Sequence, residues 1–331
     1  MQQMIRAIDA GYGNIKYVVA RSAQDITCRM FPSLAPVASH LKLTTGMSMA
    51  RDTVIIEVDG TPYEVGPEAG LVLGRHHARV LHGEYVDTPQ YLALMRGALS
   101  YMRVGEVDLL VVGLPVSLMN SKAHVLAKRL QGQHLVNGRE VTVQHVWTIA
   151  QPLGGFVDYA MGQGIYQRLA DQINLVVDVG YYTVDWLTGL GLQCMPERTG
   201  SFPGGVHSIL NAVARSVSEE LGEAYTDCDA IDRSLKSGMG ALSIGTHALD
   251  LTRHWRLAQV SVDEAVTAIA NSVGNVQDVR NIILVGGGAK HYQAAIRKRF
   301  PRPILTMAPN PIFSNVRGFQ RLGEHYIGAE S

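Results

Sequence analysis

Ala7-Ile8-Asp9-Ala10-Gly11-Tyr12-Gly13-Asn14-Ile15-Lys16 and Val176-Val177-Asp178-Val179-Gly180-Tyr181-Tyr182-Thr183-Val184-Asp185 are one short phrase written twice. Each position of the second copy follows its counterpart by 169 residues, and the aspartate, glycine and tyrosine are kept at Asp9 and Asp178, Gly11 and Gly180, Tyr12 and Tyr181. In both copies an apolar run ends on a carboxylate. A glycine-containing turn follows, then a small polar residue and a second apolar run, which is the signature of strand, tight turn and strand. One copy is compatible with any hairpin. Two copies half a chain apart point to two related half-domains.

The totals bound what surrounds the repeat. A chain of 331 residues suits two domains of about 150 residues each. Apolar residues make up 47% and charged residues 18%, a globular composition without bias toward disorder. Lys and Arg number 29, as do Asp and Glu, so no global field draws the chain toward nucleic acid and direct DNA binding is not expected. Cys28, Cys194 and Cys228 are odd in number and far apart, which argues against a disulfide framework or a zinc site and fits a reducing cytoplasm. The N-terminal residues lack the apolar core of a signal peptide, and the longest apolar stretches are strand-length, so no membrane association is expected.

Working outward, strands are expected at Ile5–Ile8 and Ile15–Ala20, with Pro32 and Pro36 breaking the sheet. A hairpin should close at Asp59-Gly60, inside a small insertion of about 31–85. Thr88 should cap a helix from Pro89 to about Met102. Val107–Val112 reads as a strand covered on both faces, Ser121–Leu130 as a helix and Val141–Val146 as a strand. A helix opens at Gln151-Pro152 and runs to about Ile165. Gly204-Gly205 precedes a helix whose Val206, Ile209, Leu210, Val213 and Val217 form one apolar stripe. Ser261–Val273 reads as a helix capped by Ser261, Asn281–Val285 as a strand, Ala289–Phe300 and Val316–Tyr326 as helices, and the proline-rich stretch between the last two as a loop. Strands alternating with helices give an α/β fold.

The chemistry gathers at the two turns. Backbone N–H groups of a glycine-rich turn form a nest for phosphate oxygens. Asp9 and Asp178 are then expected close together behind the phosphates, holding Mg²⁺ largely through water. Lys16 offers a flexible positive charge to a terminal phosphate, and Asn14 and Thr183 are small donors at matching positions. Gln151 is suited to orienting a water for attack on a γ-phosphate. Gly286-Gly287-Gly288-Ala289 after an apolar strand lets a flat ligand approach backbone. No Gly-x-x-x-x-Gly-Lys-[Ser/Thr] loop occurs, which excludes the P-loop class at motif level. Two basic groups lie elsewhere. His76-His77 between Arg75 and Arg79 reads as an exposed loop, and Arg297-Lys298-Arg299 with Arg302 as a solvated helix end.

Taken in order, these motifs resemble the actin-like ATPase superfamily. The first phosphate motif is Ile8 to Lys16, the connecting segment Gln151-Pro152, the second phosphate motif Asp178 to Asp185, the adenosine motif Ile283 to Ala289, and the closing segment Asn315-Val316-Arg317-Gly318-Phe319. The Asp-x-Gly-x-x-Asn-Ile-Lys form, with Asp229 to Gly238, is most similar to plasmid-partition actins of the ParM/StbA type. The resemblance implies a duplicated, ribonuclease H-like two-domain fold with nucleotide in the interdomain cleft. Domain I would comprise 1–150 and 312–331, and domain II 151–311. It also implies that Gln151 positions water with Asp9 and Asp178 as catalytic partners. Gly11, Tyr12, Gly13, Asn14, Lys16, Gly180, Tyr181, Tyr182, Thr183 and Asp185 would line the phosphates, and Gly204, Gly205 and His207 would begin the nucleotide-lining helix. Tyr181-Tyr182 is bulkier than the family's usual pair there. By resemblance the ligands are ATP and ADP with Mg²⁺, GTP being possible. Subunits would polymerise head to tail, and the partner would be a plasmid-bound adaptor of ParR type. The alternatives are a small-molecule kinase of the same fold, with Asp185 or Asp158 as substrate base, and a scaffold that binds ATP without turnover.

Overall fold

The computed structural model describes residues 3–22, 25–38, 51–71, 79–237, 240–245 and 247–330. His76-His77, Gly238 and part of the expected insertion lie outside the described residues. The chain divides into two compact units: unit 1 is Met1–Leu169 with Ala308–Ser331, and unit 2 is Ala170–Met307.

In unit 1 the first phrase forms β1 (Ile5–Ala10) and β2 (Asn14–Arg21), paired antiparallel, and β3 (Ile26–Pro32) adds to β2. The hairpin β4 (Val54–Val58) and β5 (Thr61–Val65) turns at Asp59 (φ 51°) and Gly60 (φ 77°), the left-handed pair that a two-residue primed turn requires. Helix α1 (Pro89–Met102) begins as expected, with the Thr88 side chain accepting from the Tyr91 N–H and proline in the first turn. Strand β6 (Glu106–Leu114) is an unbroken buried run from Leu109 to Leu114, parallel to β1. Helix α2 (Met119–Leu130) leads to β7 (Gly132–Val136) and β8 (Arg139–Ala150), joined through Asn137 (φ 49°) and Gly138 (φ 73°). The sheet order is β3-β2-β1-β6-β8-β7. Helix α3 (Gln151–Gly162) starts directly at the end of β8, and α4 (Tyr166–Ala170) crosses the unit boundary.

Unit 2 repeats the plan. Strands β9 (Ile173–Val179) and β10 (Val184–Leu190) form the second hairpin, with β11 (Gln193–Cys194) and β12 (Gly200–Phe202) both on β10. Helices α5 (Val206–Leu221) and α6 (Cys228–Lys236) precede the small hairpin β13 (Ala241–Ile244) and β14 (His247–Asp250). Then come α7 (Thr252–Leu257), α8 (Gln259–Val273), β15 (Val279–Val285), α9 (Ala289–Arg299) and β16 (Ile304–Met307). The order is β11-β10-β9-β15-β16, with β9, β15 and β16 parallel. Each unit thus has a first strand, an antiparallel extension on one side and parallel strands on the other. The apolar stripe of α5 joins Leu175, Val177, Val262, Ile269, Leu284 and Tyr292 in one core. Helix α10 (Ser314–Glu330) then returns to unit 1.

Four expectations are corrected. The residues 151–169 belong to unit 1, because α3 is locked to α10. Arg317 grips buried Asp158 with contacts of 2.9, 3.1 and 2.5 Å, and a Cβ on Gly318 would collide with the Gly154 backbone. Helix α3 stops at Gly162 rather than Ile165. Ser261 does not cap α8, which starts two residues earlier after Ala258 and lacks a side-chain cap. The proline-rich stretch contains β16, since parallel pairing with β15 from Asn281–Ile304 to Leu284–Met307 recruits it despite the flanking prolines.

Candidate functional site

In unit 1, Asp9 closes β1 and faces Lys16 directly across the ladder. Lys16 is ion-paired to Asp9, Nζ to Oδ2 at 2.7 Å, with Asp9 fully buried. The other carboxylate oxygen, Oδ1, accepts from Gln151 Nε2 at 2.7 Å. Gln151 is held there because it is the first residue of α3, where β8 ends beside β6. Its amide oxygen remains the acceptor end of the side chain.

The turn after Asp9 closes with the Gly11 N–H donating to the Asn14 carbonyl at 3.1 Å. Its other carbonyls are tied back to Ser33: the Ser33 N–H donates to Gly13 O at 3.0 Å and the Ser33 hydroxyl to Gly11 O at 2.5 Å. The buried Tyr12 ring stacks on Tyr85, centroids 5.2 Å apart at 27°, and its hydroxyl donates to the His82 carbonyl at 3.3 Å. Tyr91 meets Tyr85 edge-on at 5.1 Å, and burial pushes the ionisation of both phenols upward.

In unit 2 the same closing bond recurs, the Gly180 N–H donating to the Thr183 carbonyl at 2.9 Å. Asp178 faces Asp185 across β9 and β10 as Asp9 faces Lys16. Both carboxylates are buried, and Thr183 donates to Asp185 Oδ2 at 2.6 Å. The start of α5 backs the turn. The N–H groups of Gly205, Val206 and His207 donate to Tyr182 O (2.9 Å), Gly180 O (3.1 Å) and Tyr181 O (2.7 Å). The Tyr181 and His207 rings lie 5.4 Å apart, and His207 also meets Asn211 at 2.9 Å. Gly204 offers its carbonyl to the Tyr292 hydroxyl.

The glycine run sits against this turn. The Gly288 N–H donates to Val179 O at 2.9 Å, and Gly286 has φ 84° with a Cβ position blocked by Asp178 Oδ1. Gly286-Gly287-Gly288 connects β15 to α9, whose first residue, Ala289, is fully buried. Helices α5 and α9 thus both begin beside the Asp178 turn, capped by Gly205 and Gly288 and with no side-chain cap on either. The first N–H groups of both helices are taken by backbone carbonyls, those of Val206 and His207 by Gly180 and Tyr181 and that of Ala289 by Gly286.

The donor set can be tested against the implied ligands. Asp9 is already charge-balanced by Lys16. Asp178 instead faces a second buried carboxylate, a pairing that like charges disfavour and a hard divalent cation relieves. Among the described residues no group of three or more His, Cys, Asp and Glu could hold a metal, so any magnesium here would keep most of its waters.

Family comparison agrees with the duplication. Residues 7–154 match the model "Actin like proteins N terminal domain" and residues 176–298 the model "Archaeal actin homologue MreB-like, C-terminal". The chain belongs to the actin-like superfamily. No curated protein sequence matches it. Among solved structures it is similar to an archaeal actin homologue, with a TM-score of 0.79, 18% identity, and 98% of this chain and 100% of that chain covered. The ADP complex of that homologue gives 0.75 with the same identity and coverage. A ParM from a 15-stranded filament of Clostridium botulinum gives 0.76 at 17% identity, covering 98% and 100%. AlfA in a filament bound to AMPPNP gives 0.66 at 15% identity, covering both chains fully. The doubled sheet is thus the actin-like fold that the resemblance implied.

Within this actin-like chain, the structure brings Asp9, Gly11, Tyr12, Gly13, Asn14, Lys16 and Gln151 together in unit 1. It gathers Asp178, Gly180 to Thr183, Asp185, Gly204, Gly205, His207 and Gly286 to Ala289 in unit 2. Ser33 and Tyr85 were missed by sequence reasoning, because neither stands at a motif position. Asp158 is not an available base: Arg317 occupies its carboxylate, with Arg321 3.7 Å away.

Proposed function

We propose that this chain is a filament-forming actin-like ATPase that binds ATP and ADP with magnesium, polymerises head to tail with ATP, and segregates plasmid DNA through a DNA-bound adaptor of ParR type. The observation that carries the reading is the matched pair of turns, closed by the same bond and carrying opposite charges at Lys16 and Asp185. Taken by itself, the first turn with Lys16 suits a phosphate anion, and the second, with Asp178 facing Asp185, suits a divalent cation.

Bound nucleotide with magnesium supplies the γ-phosphoryl group that water attacks. Lys16, paired to Asp9 here, would offer its ammonium to the phosphate oxygens. Gln151, with Nε2 fixed on Asp9, presents its amide oxygen to accept a hydrogen bond from that water, orienting it rather than deprotonating it. Asp178 and Asp185 would hold the cation through its waters. Polymerisation needs a heterologous contact that does not close, and a nucleotide-dependent conformation that favours it.

Phosphate release and light scattering recorded together on purified protein with ATP and Mg²⁺ test the reading. Scattering that rises with ATP and decays as phosphate appears is expected. Phosphate release with flat scattering at every concentration would leave an ATPase without a filament. Transfer of phosphate to a sugar or acetate would replace the reading with a kinase.

A further inference from the structure

A phosphate turn works only when its peptide planes are held so that the amides face the ligand. In a planar trans peptide the C=O and the following N–H point in opposite directions, so a carbonyl tied back on one side presents an amide on the other. In unit 2 the backbone does this, with Gly205, Val206 and His207 taking the carbonyls of Tyr182, Gly180 and Tyr181.

In unit 1 the same task falls to one residue. Ser33 follows β3, in which Pro32 pairs with Asn14, and is buried at 5% exposure. Its N–H takes Gly13 O and its hydroxyl takes Gly11 O. These two bonds set the peptides Gly11–Tyr12 and Gly13–Asn14, so the amides of Tyr12 and Asn14 face away from Ser33. Behind Ser33 stands Tyr85, its hydroxyl beside the serine but outside hydrogen-bonding geometry and its ring stacked on Tyr12. Tyr91 packs edge-on to the far side of Tyr85.

We propose that Ser33 is the positioning residue of the first phosphate turn, with Tyr85 holding both Ser33 and the Tyr12 ring in place; this rests on the nucleotide reading given above. The backbone bond to Gly13 survives any substitution except proline, whereas the hydroxyl bond to Gly11 depends on the side chain alone. Losing it frees the Gly11–Tyr12 peptide to rotate, which weakens binding of the β- and γ-phosphates and leaves the nucleoside contacts untouched.

The test is calorimetric binding of ATP, ADP and AMP to the wild-type chain and to Ser33→Ala, Ser33→Thr, Ser33→Val and Tyr85→Phe. Ser33→Ala should weaken ATP and ADP by about 3- to 10-fold, the ordinary worth of one hydrogen bond, and AMP by less than twofold. Ser33→Thr should restore ATP binding. Ser33→Val, of the same shape without the hydroxyl, should not, and this pair carries the test if the alanine variant folds poorly. Tyr85→Phe, which keeps the ring, should cost less than Ser33→Ala. Equal weakening of AMP and ATP, or equal ATP binding by the Thr and Val variants, would overturn the proposal while the nucleotide reading stands. A wild-type chain that binds no nucleotide would overturn both.

Discussion

Positions 16 and 185 occupy the same place in two copies of one hairpin, and one carries a lysine where the other carries an aspartate. The lysine pairs with Asp9, whereas Asp185 sets a second buried carboxylate opposite Asp178. Removing Asp178 should therefore abolish hydrolysis, because the cation loses its anchor; retained phosphate release by Asp178→Ala would refute that role. Gln151→Ala should lower kcat by about 100-fold or more with KM little changed, since water orientation acts on the chemical step. A fall in affinity with kcat preserved would instead make Gln151 a support for Asp9. At this scale the repeated residues were legible in the sequence, as was the contrast at their ends. The direct Lys16–Asp9 pairing was not, because it depends on a ladder register that spacing alone does not set. Ser33 was hidden for a similar reason, since its neighbours in space lie about 20 residues earlier, across a strand that the prolines disguised.

At the scale of elements, helices with a strong apolar stripe or a clear cap were readable, and α1 and α5 stand where Thr88 and Gly205 announced them. Strands that owe their existence to a neighbour were not. Strand β16 forms because β15 offers an edge for parallel pairing, and β3 because β2 offers one for antiparallel pairing. The Asn137-Gly138 turn between β7 and β8 is a hairpin signal that the reading of Val141–Val146 alone passed over. The placement of α3 also depends on tertiary contact, and it can be probed at Gly318. Any side chain there meets the Gly154 backbone, so Gly318→Ala should cost about 3 kcal/mol or more, read as a lowered denaturation midpoint with unchanged slope. An unchanged midpoint would show that α3 and α10 can separate freely. His134 on β7 adds a pH dependence. It is buried, its Nε2–H donates to Leu130 O at 2.7 Å, and burial lowers its proton affinity. The unfolded chain then takes up the proton first, so its contribution is complete above about pH 6.5 and is lost as pH falls below that value. Thermal melts from pH 7.5 to 5.5 should drop, and His134→Gln should flatten part of the slope. An identical slope would assign the acid sensitivity elsewhere.

For the whole molecule, the duplication was present in two ten-residue phrases and the α/β class in the alternation of strands and helices, and two family models now cover the two halves separately. The expected division at residue 150 was displaced to Leu169 because Gln151 reads as the start of a second half yet packs with the first. The function proposed at this scale is assembly, and a filament interface leaves no motif comparable to a phosphate turn. The most direct measurement is negative-stain electron microscopy of the purified chain with Mg²⁺ and ATP, beside a sample without nucleotide. The account predicts filaments with ATP and dispersed particles without it. Dispersed particles in both samples, from protein shown to bind ATP, would contradict it.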